Sequence, residues 1–141
     1  MNIFFPKEQD NETRFSLTGE TAQKFLKKDI NLSIQENINL QDALLEKLIE
    51  ENSINIVSRE EGLKSANIIC NLNKLSFDDI AKINPDTLAI SFLDPFNEKQ
   101  LIEEFRKKSI SSISMELIPR TTRAQKMDAL SSQALSLIHI S

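Results

Sequence analysis

Arg120, Arg123, Gln125, Asp128 and Ser131 lie within PRTTRAQKMDALSSQA, residues 119–134. A helix following Pro119 carries partial positive charge at its start, so arginines there are locally unfavourable. Arg120 and Arg123 therefore suit a ligand or partner better than they suit the helix. Their planar donors match amides, carboxylates and phosphates. Gln125, Asp128 and Ser131 or Ser132 follow at spacings that place them on one helix face. Ala124, Met127, Leu130 and Ala134 form the opposite face, as a packed side would. Small serines in mid-helix also let a flat ligand approach the backbone. The same residues would make an ordinary solvated face, and spacing alone leaves both readings open.

PKEQDNETRFSLT, residues 6–18, is the second candidate: a charged connection between a strand and a helix, with Arg14 just before the apolar Phe15. A solvated connection is its simpler reading. Other charged clusters are expected to be solvated. Asp78-Asp79 opens a helix and suits its dipole, Arg106-Lys107-Lys108 closes one, and Glu60-Glu61 lies in a connection. Several chemistries are excluded. No pair of cysteines or histidines could hold zinc, and no metal site is expected. Gly19 and Gly62 are the only glycines, too far apart for a phosphate-binding loop. His139 is the only histidine and lies in an odd C-terminal tail, so a Ser-His-Asp arrangement is rejected.

The elements that would position these residues alternate. Short apolar strands are predicted at 2–5, 31–35, 54–58, 68–72, 87–93 and 110–118. Helices are predicted at 18–28, with Thr18 as cap and Lys27-Lys28 at its C-terminal end, at 40–51, 76–83 and 98–108, and again after Pro119. TLAISFL, 87–93, is nearly all apolar, as a strand buried on both faces should be. The alternation implies an α/β fold with a mostly parallel sheet and helices on both faces. Ligands in such sheets sit beyond the C-terminal ends of the strands. PKEQDNETR, DPFN and PRTTRAQ all fall there.

Composition sets the frame. The 141 residues are 40% hydrophobic, enough for one domain with a core. A net charge of −4 and a pI near 5.1 argue against a nucleic-acid surface. The lone Cys70, in NIIC, reads as a small buried hydrophobe in a reducing compartment. No apolar run is long enough to span a bilayer, and MNIFFPKEQD does not look like a secretory signal. Membrane association would have to come through a partner.

The two candidate stretches together resemble the NAD(H)-binding alpha subunit of proton-translocating NAD(P) transhydrogenases. That family opens with PKE or PRE, then NE-T-R and an LTP-like helix start. Here these are Pro6-Lys7-Glu8, Asn11-Glu12-Thr13-Arg14 and Leu17-Thr18-Gly19. A later VPR-x-SRAQ-x-DALSSQ-like block is matched by Ile118 to Gln125 and Asp128 to Gln133. The family's glycine-rich segment after the second strand is replaced by SIQENIN. Alanine dehydrogenases share the architecture and the first motif. At their lysine and histidine positions this chain has Asn73 and Asp94, which favours the transhydrogenase resemblance.

The resemblance implies a truncated Rossmann-like or flavodoxin-like N-terminal domain over residues 1–134. It implies NAD(H) as cofactor, with NADP(H) on the partner subunit. Arg120, Thr121, Thr122, Arg123, Gln125, Asp128 and Ser131 would bind cofactor, and Arg14 is a candidate on the ligand-side loop. Arg120 and Asp128 would hold the nicotinamide carboxamide, Ser131 would support it, and Gln125 would reach toward NADP(H). Gln125 and Asp128 are the candidate catalytic pair. Hydride would pass from NADH to NADP⁺, coupled to proton translocation. The full-length subunit is expected to be a homodimer, cytoplasmic and peripheral on the inner face of the plasma membrane, bound there through NADP(H)-binding and membrane-spanning components; no nucleic acid is expected. Residues 135–141, LSLIHIS, resemble the translation of a transposon-end adapter and are expected to be non-native. The fragment alone is expected to be inactive. The alternatives are an alanine dehydrogenase-like oxidoreductase fragment and a non-catalytic interaction module.

Overall fold

The computed structural model describes residues 1–8, 12, 14–73, 75–91 and 99–114. Six strands lie in one sheet: β1 (Asn2–Phe5), β2 (Asn31–Gln35), β3 (Asn55–Val57), β4 (Ile68–Cys70), β5 (Leu88–Ser91) and β6 (Ser111–Ser114). Every described pairing is parallel, and the order is β3-β2-β1-β4-β5-β6. The chain builds outward from β1 in one direction, then returns and builds in the other. The β1–β4 boundary is thus the topological switch point, where open α/β sheets leave a crevice.

Strand alternation splits the core between the two faces. Ile3 and Phe5 of β1, with Ile34, Cys70 and Ile90, pack on one side with Ala22 and Phe25 of α1 (Gly19–Leu26) and Leu45 and Leu48 of α2 (Ala43–Glu50). Phe4, Ile69 and Ala89 pack on the other with Leu63 of α3 (Arg59–Ser65), Ile80 of α4 (Phe77–Lys82) and Leu101 and Phe105 of α5 (Lys99–Lys107). Cys70 is fully buried as expected, and burial pushes its thiol up to about 12.

Thr18 caps α1, accepting from Thr21 N at 3.2 Å. The helix predicted from Leu40 begins at Ala43, because the Asp42 carboxylate accepts from Leu45 N at 3.0 Å and so fixes the start. The connection expected around Glu60-Glu61 is instead α3. Its seven residues hold only one large apolar side chain, Leu63, so no helical period shows in the sequence. Ser58 caps it, and Glu60 and Glu61 suit its first turn. A Cβ at Gly62 would lie 2.2 Å from the Phe4 ring, so only glycine lets α3 lie this close to β1. Strands β3 and β4 stop short of the expected 58 and 72.

Candidate functional site

Three stretches meet at the C-terminal end of β1 and β4. Pro6-Lys7-Glu8 continues from β1, Asn71-Leu72-Asn73 continues from β4, and Arg59 opens α3. The Glu8 carboxylate spans the crevice, accepting from Leu72 N at 2.8 Å and Asn73 N at 3.1 Å. Burial raises the Glu8 pKa above its ordinary 4.5, against the two backbone bonds that favour the anion. Arg59 donates through Nε and Nη2 to both Asp79 oxygens, at 2.8 and 2.7 Å. Its Nη1 reaches Lys7 O at 3.1 Å and Gln35 Oε1 at 2.9 Å.

The solvated position expected for Asp79 is not what the fold provides. Asp79 is buried, because Arg59 neutralises it and a capping box with Ser76 uses its remaining acceptor capacity. Burial alone would raise its pKa; the Arg59 fork and the Ser76 bonds outweigh that and hold it below 3.8. Arg59, Gln35 and Asp79 have no functional reading in the sequence. One signal is present: a basic residue at the start of a helix opposes the dipole, which is the reasoning that singles out Arg120 and Arg123. It applies to Arg59 only once α3 is known to be a helix.

Arg14 lies on the same side of the sheet. Its Nε and Nη2 donate to Glu12 at 2.8 and 3.0 Å, and its side chain is 45% exposed. Those bonds pull the Glu12 carboxyl down to about 2. Asn73 Nδ2 also reaches Glu12, at 3.5 Å. An anion approaching Arg14 would thus compete with a carboxylate already in place. The loop returns over β4, where Ser16 Oγ donates to Cys70 O at 3.1 Å. Beside it, Asn71, just after β4, and Ser91 of the adjacent β5 each keep a buried side-chain oxygen with no hydrogen-bond partner. Arg120, Thr121, Thr122, Arg123, Gln125, Asp128 and Ser131 lie outside the described residues, as does Asp94.

The strand order invites a dinucleotide, whose pyrophosphate would sit at the N-terminus of α1. The described residues do not fit one there. Gly19 N, the donor a phosphate would use, already gives its bond to Asp42 Oδ2 at 2.9 Å. A Cβ on Gly19 would lie 2.6 Å from Leu44 Cβ, so this glycine serves helix packing and leaves no room for a ligand. That also explains Gly19 in the LTP-like motif: proline has no N–H to give Asp42. After β2, Asn37 adopts a left-handed φ of 63° in the segment where the sequence lacks the expected glycines. Among the described residues no group of three or more acidic, cysteine or histidine side chains could hold a metal ion.

Residues 4–136 match the protein family described as alanine dehydrogenase/PNT, N-terminal domain. The chain belongs to this family. Among its relatives, the first portion of the NAD(P) transhydrogenase subunit alpha of Rickettsia prowazekii is 30% identical over 140 residues, covering 95% of this chain and 37% of the relative. NAD(P) transhydrogenase subunit alpha of Haemophilus influenzae is 27% identical over 135 residues, covering 95% and 26%. The chain therefore spans well under half the length of these relatives. Among solved structures, the transhydrogenase from Sinorhizobium meliloti superposes with a TM-score of 0.74 at 23% identity, over 95% of this chain and 40% of that one. An L-alanine dehydrogenase gives 0.68 at 16% identity, over 81% and 32%. These two confirm the α/β fold of the alanine dehydrogenase/PNT N-terminal domain. No helix among the described residues is long and apolar enough to cross a membrane.

Proposed function

We propose that this chain forms one wall of the hydride-transfer site of an NAD(P) transhydrogenase alpha subunit. The observation that carries this is the family match over residues 4–136, together with relatives named as transhydrogenase alpha subunits. The structure supports a wall in place of a complete nucleotide site. The switch-point crevice is lined by ordered charged groups, while the α1 N-terminus is filled by Asp42 and cannot cradle a pyrophosphate. The phosphates and adenosine would then be held by a further region of the subunit.

On this reading the residue 119–134 block faces the nicotinamide of NAD(H). Arg120 and Asp128 hold the carboxamide, Ser131 supports it, Thr121, Thr122 and Arg123 complete the cofactor contacts, and Gln125 faces NADP(H) on the partner subunit. Arg14 approaches from the ligand-side loop. The bound nucleotides supply the hydride chemistry, and this chain's residues orient and exclude water, so positioning is the catalysis. Proton movement belongs to membrane-spanning partners, with this chain on their cytoplasmic side. The alanine dehydrogenase reading loses further ground at Asn73, whose neutral amide faces Glu12 where that enzyme would have its lysine.

The test uses the full-length subunit with its NADP(H)-binding partner. Gln125→Asn shortens the side chain by one methylene at the junction of the two rings. It should slow transfer on the order of a hundredfold, the scale of an error of about 1 Å in placement, with NADH affinity kept within a few fold. Asp128→Asn should weaken NADH binding as well. Stopped-flow transfer and NADH titration on both variants decide; a wild-type transfer rate for Gln125→Asn overturns the assignment.

A further inference from the structure

We infer that Arg59 is a positioning residue for the ligand-side loop. Its guanidinium, oriented by Asp79, clamps the Lys7 backbone to the end of β2, and so holds Pro6-Lys7-Glu8 across the β1–β4 crevice. This rests on the reading above that the crevice faces the ligand.

The geometry is specific. Arg59 is the first residue of α3, where its charge opposes the helix dipole, so helix stability does not explain it. Its fork is fully engaged across elements, with Asp79 on α4 through Nε and Nη2, and with Lys7 O and Gln35 Oε1 through Nη1. Gln35 Oε1 in turn accepts from Lys7 N at 2.9 Å. Both backbone groups of Lys7 are thus bonded to a two-residue unit, Arg59 with Gln35. Pro6, just before, is buried and has no N–H to satisfy. Glu8, just after, is bonded to the β4 loop through Leu72 N and Asn73 N. The opening PKE motif therefore has a physical role as the clamped segment. From there the chain runs to Glu12 and Arg14, and Glu12 meets Asn73 from the far side of the crevice. Loosening Arg59 would release Lys7, then Glu8, then the charged groups beyond it.

Arg59→Lys keeps a cation for Asp79 but cannot also reach Lys7 and Gln35, because an ammonium has no planar fork. Arg59→Met removes the cation as well. Asp42→Ala, a cap variant in α2, controls for general loss of stability. The first readout is amide hydrogen exchange at Leu72 and Asn73 in this chain. It should rise about tenfold in Arg59→Lys, the scale of losing one hydrogen bond to a charged group, and stay unchanged in Asp42→Ala. The second is hydride transfer in the full-length subunit with its partner. Arg59→Lys should lower the transfer rate about tenfold with NADH affinity within a few fold, a lesser form of the placement error above, and Arg59→Met should lower it further. Unchanged exchange at Leu72 and Asn73 in Arg59→Lys overturns the inference, and so does faster exchange with a wild-type transfer rate. If the wild-type subunit transfers no hydride at all, the proposed function fails, and the exchange readout still decides whether Arg59 holds the crevice.

Discussion

The switch-point crevice and the outer face of α5 both carry arginine–carboxylate pairs, and the two pairs differ in nearly every physical respect. Arg59 and Asp79 come from different helices, approach to 2.7 Å, and are 33% and 9% exposed. Arg106 and Glu103 share one helix, approach only to 3.8 Å, and are 81% and 53% exposed. In the crevice, removing one partner strands a charge that water cannot reach. On α5, water replaces a lost partner at once, and salt screens what attraction there is. The same residue types thus organise tertiary structure in one place and decorate a surface in the other.

The largest expected effect follows from that contrast. Arg59→Met should destabilise the chain by about 3 kcal/mol, the lower end of what breaking a buried pair costs, because Arg59 is itself one-third exposed. Arg106→Met should change stability by less than about 0.5 kcal/mol. Urea unfolding of both variants checks this. Equal losses would mean that burial of Asp79 does not separate the two regions.

That contrast also marks what the sequence can reveal. Strands β1 and β2 fall at the predicted residues, because alternating apolar residues end at Pro6 in one and at a polar run in the other. The Ser76 cap is legible because the helix it starts has a local period. The Arg59 clamp is not, since its partners lie 20, 24 and 52 residues away and its helix shows no apolar stripe. Asp79 looks solvated in the sequence because its dipole-favourable position explains it locally and nothing nearby implies a counter-charge. The residue 119–134 block is legible as a motif, yet it lies outside the described residues, so its helix face rests on spacing and family resemblance.

A smaller effect separates Glu8 from the surface carboxylates by pH. Its pKa is raised above 4.5, chiefly by burial, so the folded chain holds this proton more tightly than the unfolded chain does. Its contribution to stability is then fully present below about 4.5 and is lost as pH rises through the higher folded value. The expected observation is that the melting temperature of wild type minus that of Glu8→Gln falls as pH rises through this window, then levels off. Asp79 runs the other way, losing stability as pH falls, because its pKa is held below 3.8. Subtracting the Glu8→Gln curve removes that shared background. A flat difference curve would mean that Glu8 is as solvated as the carboxylates on α5.

The smallest effect is the coupling across Arg106 and Glu103 itself. Glu103 stands three positions before Arg106 in α5, the favourable orientation with respect to the helix dipole. Both side chains must give up rotamer freedom to meet, and at 3.8 Å between largely exposed groups the attraction returns little. A double-mutant cycle with Glu103→Gln and Arg106→Gln should give a coupling below about 0.5 kcal/mol, fading further in molar salt. The cycle cancels helix propensity and solvation changes that each single substitution brings, so it isolates the pair. A coupling above about 1 kcal/mol that survives salt would exceed what exposed pairs supply. It would mean that α5 is covered by something in solution, and the difference between surface and crevice would then be one of partner and not of burial.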